Sequence, residues 1–327
     1  MNARLPEFQL AQPRTISEAI AAVSSQPDGR FLGGGTDLLV NMRRGLGRGS
    51  LLVDLSGIDE LTGIKSHEGG VTIGTGVSIA TLARNPVIAA HYHAVKQAAS
   101  VIAAPSHRNV GTVGGNLCLD TRCIYYNQSE WWRKSNTYCL KHRGEVCHVA
   151  PQGKRCHAAF SGDLAPAMIV LGAEVDIVSA QGQRRIPLTE LYVEDGKAHL
   201  ALTPGELVTA VHLPANQSVS TYEKVRTRGA IDYPLAGVAV AMKLSGDAIA
   251  SLRIALTATN SRPFLLAGTD AFAGRLVDDP LLKEIDRMVQ KQVQPMRTTL
   301  VAANYRRVAA AAIARRLTAD LFAQSKG

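Results

Sequence analysis

The sequence predicts an α+β fold, and three observations carry that reading. Short apolar runs alternate with glycine turns and helical segments to about residue 215. A cysteine-bearing segment without clear periodicity interrupts them at about 119–160, and alternating strands followed by two helices fill the remainder. The expected architecture is an N-terminal domain, 1–215, made of a small βαβ unit and a larger mixed α/β unit carrying the insertion, then a C-terminal domain, 216–327, of antiparallel sheet with helices. At 327 residues the chain exceeds what a single core usually supports.

Taken in order, Thr15, Ile16, Ser17 and Glu18 have the spacing of a capping box ahead of an Ala-rich helix running to about Ser25. FLGGGTDLLVNMRRG, 31–45, reads as a strand, a glycine turn capped by Thr36 and Asp37, and a helix from Leu38 to Arg44 stopped by Gly45. LLVDLS, 51–56, is a buried strand by its apolar run. Strands are expected over 58–77, then helices from Ser78 to Arg84 and from Val87 to Ile102, and SHRNVGTVGGNL, 106–117, reads as a loop. Beyond the insertion the pattern predicts a helix Leu164–Leu171 and strands Glu174–Ser179 and Leu207–Leu213. Segments 221–226, 235–244 and 251–259 alternate as antiparallel strands do, and helices follow at about 280–293 and 298–323.

Composition excludes several classes. A hydrophobic share of 46% with 19% charged residues is that of a globular chain and not a disordered one. No apolar run approaches the ~20 residues of a membrane helix. The opening MNARLPEFQLAQPR lacks the apolar stretch of a signal peptide, so a cytoplasmic protein without membrane association is expected. The formal charge of +9 is uneven: residues 121–160 hold seven Lys and Arg against two Asp and Glu, whereas 161–220 hold three against seven. Nucleic acid is one reading of a basic balance. The densest positive segment, however, also holds four of the five cysteines, and no nucleic-acid partner is expected. The Arg-rich C-terminal helix reads as a solvated or interface face.

Two glycine motifs bear on chemistry. Gly33, Gly34, Gly35, Thr36 and Asp37 put bare backbone amides at a helix start, where a pyrophosphate can approach them; a tight turn without a ligand is the plainer alternative. Asn109 to Leu117, NVGTVGGNL, adds further glycine amides, a Thr hydroxyl and an Asn amide, which suit phosphate and ribose. Neither motif is a P-loop or a GxGxxG dinucleotide fingerprint. Two such loops in one domain point to a shared ligand.

Together GGGTDLL and RNVGTVGGN resemble the FAD-binding medium subunit of the molybdenum hydroxylases, the xanthine dehydrogenase and carbon monoxide dehydrogenase group, over nearly the whole chain. The resemblance implies a flavin-binding set. Leu32, Gly33, Gly34, Gly35, Thr36 and Asp37 would hold the FAD pyrophosphate, and Gly111, Thr112, Gly115 and Asn116 the other side of the phosphates with the ribitol or ribose. Ile102 would lie near the flavin and Asp163 at the adenosine end, with Val208 and Lys224 where the chain approaches the cofactor again. The family pattern is broken at about 119–160, which displaces the acid that follows GGN to Asp163 in SGDLAPA. A cysteine-bearing insertion here resembles the β subunit of 4-hydroxybenzoyl-CoA reductase, whose insertion carries a [4Fe–4S] cluster.

Cys123, Cys139, Cys147 and Cys156 are spaced C-x15-C-x7-C-x8-C, which matches neither common ferredoxin pattern nor the paired ligands of a zinc site. The residues alone leave iron–sulfur, zinc and free thiols open. Arg122, Arg133, Lys134, Lys141, Arg143, Lys154 and Arg155 surround the four in sequence and would offset the charge of a thiolate cluster; the resemblance selects [4Fe–4S]. Cys118 reads as a packed small residue, and His142, His148 and His157 as surface or hydrogen-bonding groups. No catalytic constellation is expected. The resemblance implies an electron-transfer subunit carrying FAD and [4Fe–4S], bound to a large molybdopterin subunit and a small [2Fe–2S] subunit in a dimer of heterotrimers. It would pass electrons from ferredoxin towards molybdenum for the reductive dehydroxylation of 4-hydroxybenzoyl-CoA to benzoyl-CoA. An oxidising molybdenum hydroxylase with a different acceptor, or a zinc-containing binding module, are the alternatives.

Overall fold

The structure, a computed structural model, describes residues 4–47 and 49–325. Its first unit is a three-stranded parallel sheet built from β1 (Gln9–Ala11), β2 (Arg30–Leu32) and β3 (Leu51–Asp54) in the order β1-β3-β2, with α1 (Ile16–Ser24) and α2 (Leu38–Arg43) as crossovers. Half of the capping box forms: Glu18 N–H donates to Thr15 Oγ1 at 3.2 Å, while the Glu18 carboxylate accepts from Arg14 N–H, one residue before the cap, at 2.7 Å. Ala19 and Val23 of α1 pack on Leu51, Val53, Ile58 and Leu61.

The second unit is a five-stranded antiparallel sheet: β4 (Ile64–His67), β5 (Gly70–Gly74), β6 (Glu174–Ser179), β7 (Gly182–Pro187) and β8 (Leu207–Pro214), ordered β4-β5-β8-β6-β7. Strand alternation sends Val71, Ile73, Val175, Ile177, Val211 and Leu213 into the largest core. The helices packed there are α3 (Ile79–Arg84), α4 (Pro86–His91), α5 (His93–Val101), α7 (Val113–Leu117) and, beyond the insertion with its own α8 (Glu130–Ser135), α9 (Leu164–Ile169), while α6 (Pro105–Val110) lies outside that core with no buried residue. Two expectations are corrected here. The helix predicted over Val87–Ile102 breaks at Tyr92 (φ −130°, ψ 57°), whose buried ring carries a hydroxyl that donates to the Pro214 carbonyl at 3.0 Å. The predicted loop 106–117 is two short helices, because Pro105 starts α6 and the Thr112 hydroxyl caps α7.

The third unit is the antiparallel sheet β12-β11-β10-β9, formed by β9 (Val219–Val225), β10 (Ala236–Ser245), β11 (Ala248–Thr257) and β12 (Phe264–Leu265), with α10 (Asp279–Gln292) and α11 (Ala303–Gln324). β10 shows how it is placed. Val238, Val240 and Met242 face the core under the two helices, while Ala239 and Ala241 join the core of the second unit, so small side chains let the sheets approach. α11 starts at Ala303, later than expected, and its buried Arg306 donates to the carbonyls of Leu235, Met296 and Ala258. No helix among the described residues is long and apolar enough to cross a membrane.

Candidate cofactor sites

β2 ends at Leu32, whose carbonyl accepts from Leu55 N–H at 2.9 Å, and the chain turns through Gly33–Asp37 into α2. Gly35 has φ +68°, a left-handed conformation that costs glycine nothing. Gly34 is required for a different reason: a Cβ there would lie 1.8 Å from the Val110 carbonyl oxygen. Likewise a Cβ on Gly33 would lie 2.8 Å from Thr112 Oγ1. The two glycine motifs, far apart in sequence, are thus in backbone contact.

Their hydrogen bonds differ. Among the described residues no group accepts from the backbone N–H of Gly34, Gly35 or Thr36. In the second motif the amides are already engaged: Gly114 N–H donates to the Thr75 carbonyl at 2.8 Å, and Gly115 N–H to Thr112 Oγ1 at 3.0 Å. Asn116 Oδ1 accepts from Leu164 N–H at 3.0 Å, which ties the motif to the start of α9. The expectation that the second loop offers glycine amides to a ligand is therefore corrected: the Thr75 and His107 carbonyls and the α7 cap take those of Gly114, Gly111 and Gly115. A diphosphate fits the first turn, which has amides to offer, with the second motif as its wall.

Asp37 is also corrected. Its side chain makes no cap bond; it pairs with the Arg122 guanidinium and accepts from Asn41 Nδ2 at 3.2 Å and from Asp120 N–H at 3.3 Å. Ile102 ends α5 half-buried, and the next residue, Ala103, has φ +44°. That strained turn is held by Arg226 on the Val101 carbonyl (3.0 Å), Arg108 on the Ile102 carbonyl (2.7 Å) and Ile231 N–H on the Ala103 carbonyl (3.2 Å). Val208 is buried in β8, and its carbonyl accepts from Thr75 Oγ1 at 2.8 Å, so Thr75 joins Val208 to the second glycine motif. Asp163 and Lys224 pair with each other, and Tyr222 OH donates to Asp163 Oδ1 at 2.7 Å. Burial pushes the Asp163 carboxyl above its ordinary value against the pull of Lys224. Tyr222 escaped the sequence reading, although its position two residues before Lys224 on one strand face could have found it.

Cys123, Cys139, Cys147 and Cys156 line one pocket, with Tyr126, Lys141 and His148 among its walls. Cys123, Cys139 and Cys156 form the insertion's core together with Leu46, Tyr126 and Ala158, which the sequence reading did not anticipate. Ala158 N–H donates to Cys156 Sγ at 3.4 Å; the backbone amides of Val149, Ala150 and His157 favour the thiolate of Cys147, and those of Tyr125 and Tyr126 that of Cys123. The Cys156 thiol beside it, then those amides, pull Cys147 down to about 5, while the same contact pushes Cys156 up. Burial pushes Cys123 up to about 11, and Cys118, packed in the second unit's core, up to about 12. No three of the described His, Cys, Asp or Glu side chains converge on a single metal ion, so the thiols do not close into the tetrahedral cage of a structural zinc. Four soft thiol donors around one pocket, one of them accepting a backbone N–H, are the residue types that a thiolate-bound cluster would take.

Most of the seven basic residues have other work. Arg122 pairs with Asp37, Arg155 with Glu194 at 3.1 Å, and Arg133, 1% exposed, donates to the carbonyls of Gln128, Arg44 and Gly45. Only Lys141 lines the pocket; Lys134 and Lys154 are exposed, and Arg143, also exposed, pairs with Glu130 at 3.5 Å. His148 Nε2 meets the Tyr138 carbonyl at 2.7 Å, and the His142 ring packs on Tyr126 and Tyr138.

Residues 6–216 match the family described as "FAD binding domain in molybdopterin dehydrogenase", and residues 220–321 match "CO dehydrogenase flavoprotein C-terminal domain". The chain is similar to the aldehyde oxidoreductase FAD-binding subunit PaoB of Escherichia coli, with 32% identity over 81% of this chain and 85% of that one. It is also similar to the carbon monoxide dehydrogenase medium chain of Afipia carboxidovorans, at 26% identity over 98% of both chains. Among solved structures, reconstituted CO dehydrogenase from Oligotropha carboxidovorans superimposes with a TM-score of 0.81 at 24% identity, over 98% of this chain and 99% of that one. Quinoline 2-oxidoreductase from Pseudomonas putida 86 gives 0.79 at 22% identity, with the same coverage.

Proposed function

We infer the function from one premise: the chain belongs to the family of FAD-binding medium subunits of the molybdenum hydroxylases. It is an oxidoreductase subunit that binds FAD. On our reading it serves an oxidising enzyme, with an aldehyde as the first substrate class to test. The observation that carries this is the 32% identity to a subunit named for aldehyde oxidation; carbon monoxide dehydrogenase, at 26%, lies on the same side. These relatives support the oxidising alternative over the reductive dehydroxylation of 4-hydroxybenzoyl-CoA.

FAD, when bound, accepts electron pairs and releases them singly. This chain's part is to hold and insulate it. The N–H groups of Gly34, Gly35 and Thr36 would bind the diphosphate, the Gly111–Asn116 segment would wall it in, and Ile102 on its clamped turn would sit against the ring. The buried Asp163–Lys224–Tyr222 group would hold the adenosine end. The four cysteines would ligate a [4Fe–4S] cluster, supported by one shared pocket and by the Ala158 amide donated to Cys156. We place the chain between a large molybdopterin subunit and a small [2Fe–2S] subunit, in a dimer of heterotrimers. A ferredoxin is its outside redox partner, since Lys134, Arg143 and Lys154 would attract an acidic protein.

Anaerobic purification of the assembled enzyme tests this. We expect about four iron and four labile sulfide beyond those of the small subunit, one FAD per chain, and dye reduction by aromatic or aliphatic aldehydes. Zinc in place of iron, or absent flavin, would overturn the cofactor reading. The cysteine insertion favours one second reading, the thioester reductase, and reductant-dependent benzoyl-CoA formation without aldehyde oxidation would establish it instead.

A further inference from the structure

Resting on that two-cofactor reading, we propose that the flavin turn and the four-cysteine pocket form one thermodynamic unit, coupled through Asp37, Asp120 and Lys141. Lys141 is the one lysine or arginine lining the pocket, and its side chain is 5% exposed. Its Nζ lies 2.7 Å from Asp120 Oδ1 and 2.8 Å from the Gly196 carbonyl, contacts the Thr121 hydroxyl, and sits 4.9 Å from the centre of the Tyr126 ring, another wall. Asp120 N–H in turn donates to Asp37 Oδ2 at 3.3 Å. The other oxygen of Asp37 pairs with Arg122, the residue before Cys123. Two arms therefore run from the carboxylate of the flavin turn to the pocket: one through Asp120 to Lys141, the other through Arg122 along the backbone to Cys123.

The charges explain why the arms carry force. A four-thiolate cluster is net negative, and the ammonium nearest to it is Lys141, whose one carboxylate partner is Asp120. Filling the pocket fixes Lys141 between the two negative groups and thereby fixes the Asp120 segment whose N–H Asp37 accepts. Asp37 ends the turn whose free amides would face the diphosphate. Loading either site then favours the other by the same factor, since coupling between sites is reciprocal. Asp120 and Lys141 are positioning residues: neither is a thiol, and neither belongs to the flavin turn.

A double-mutant cycle in the full-length protein tests the coupling, with Cys139→Ser to spoil the pocket, Asp120→Asn to cut the arm, and the two combined. The readouts are the FAD dissociation constant by flavin fluorescence, iron content, and circular dichroism for the fold. Cys139→Ser should weaken FAD binding about tenfold, Asp120→Asn should weaken it less because the arm through Arg122 remains, and the double variant should fall short of the product of the two losses. Losses that multiply, or a Cys139→Ser protein within about twofold of the parent, would overturn the coupling alone. Parent protein lacking iron or FAD would overturn the functional reading and the coupling with it. Where circular dichroism shows that Asp120→Asn is unfolded, Lys141→Met takes its place in the same cycle.

Discussion

Lys224 Nζ lies 2.8 Å from Asp163 Oδ1, with the two side chains 2% and 4% exposed, although β9 and the start of α9 belong to different sheets' surroundings. The pair joins the third unit to the second at the place where Asn116 also meets α9. Removing one partner strands a charge: Lys224→Met should cost about 3–5 kcal/mol in urea unfolding. Asp163→Leu combined with Lys224→Met should cost far less. A single variant within ~1 kcal/mol of the parent would show that Asp163 is already neutral and the pair inert.

Gly34→Ala should lower both flavin content and melting temperature, because its Cβ meets the Val110 carbonyl and drives the two glycine motifs apart. Gly229→Ala, with nothing within 4 Å, is the control and should change neither. Normal flavin occupancy in a stable Gly34→Ala protein would mean that the contact between the motifs is dispensable.

Serine at Cys123, Cys139, Cys147 or Cys156 should each remove or convert the iron–sulfur signal, read by iron analysis and electron paramagnetic resonance. Cys118→Ser should retain it, since Cys118 packs in a different core. The reverse pattern for any of the five would redraw the ligand set.

His199 predicts an acid-side weakness. Burial first, and Lys141 second, push it down to about 4 from 6.5; its Nε2 meets the Leu119 carbonyl at 2.9 Å. Between those two values the unfolded chain takes up a proton that the folded chain refuses, so stability falls as pH drops from 6.5 to 4. The loss approaches roughly 3 kcal/mol at the lower end. His199→Gln should flatten the urea midpoint across that range relative to the parent; parallel curves would show that the ring protonates in place.

What could be read in advance follows from range. The Thr15 cap, the Gly35 turn and the alternation of β10 are local, and each was legible from residue type and spacing. The break at Tyr92 was not, because its cause is a carbonyl on β8 over a hundred residues away. Among the site residues, the glycines were visible because backbone approach demands them. Arg122 and Lys141 looked like interchangeable cations, and only their distant partners, Asp37 and Asp120, separate them. The four cysteines stood out by count and charge; that Cys123, Cys139 and Cys156 would also be the segment's apolar filling did not.

Arg133 carries a consequence for engineering. Its guanidinium closes the end of α2 by binding the carbonyls of Arg44 and Gly45, Leu46 sits among the cysteines, and Ile124 N–H reaches the Thr298 carbonyl at 2.9 Å. The insertion is therefore sutured into both flanking units. A chain trimmed back to the uninterrupted family pattern would expose orphaned carbonyls at a helix terminus, and transplanting 119–160 alone into a relative would leave Arg133 without a socket. The segment and the Arg44–Leu46 bend are therefore one structural unit, and an engineer who moves one has to move the other.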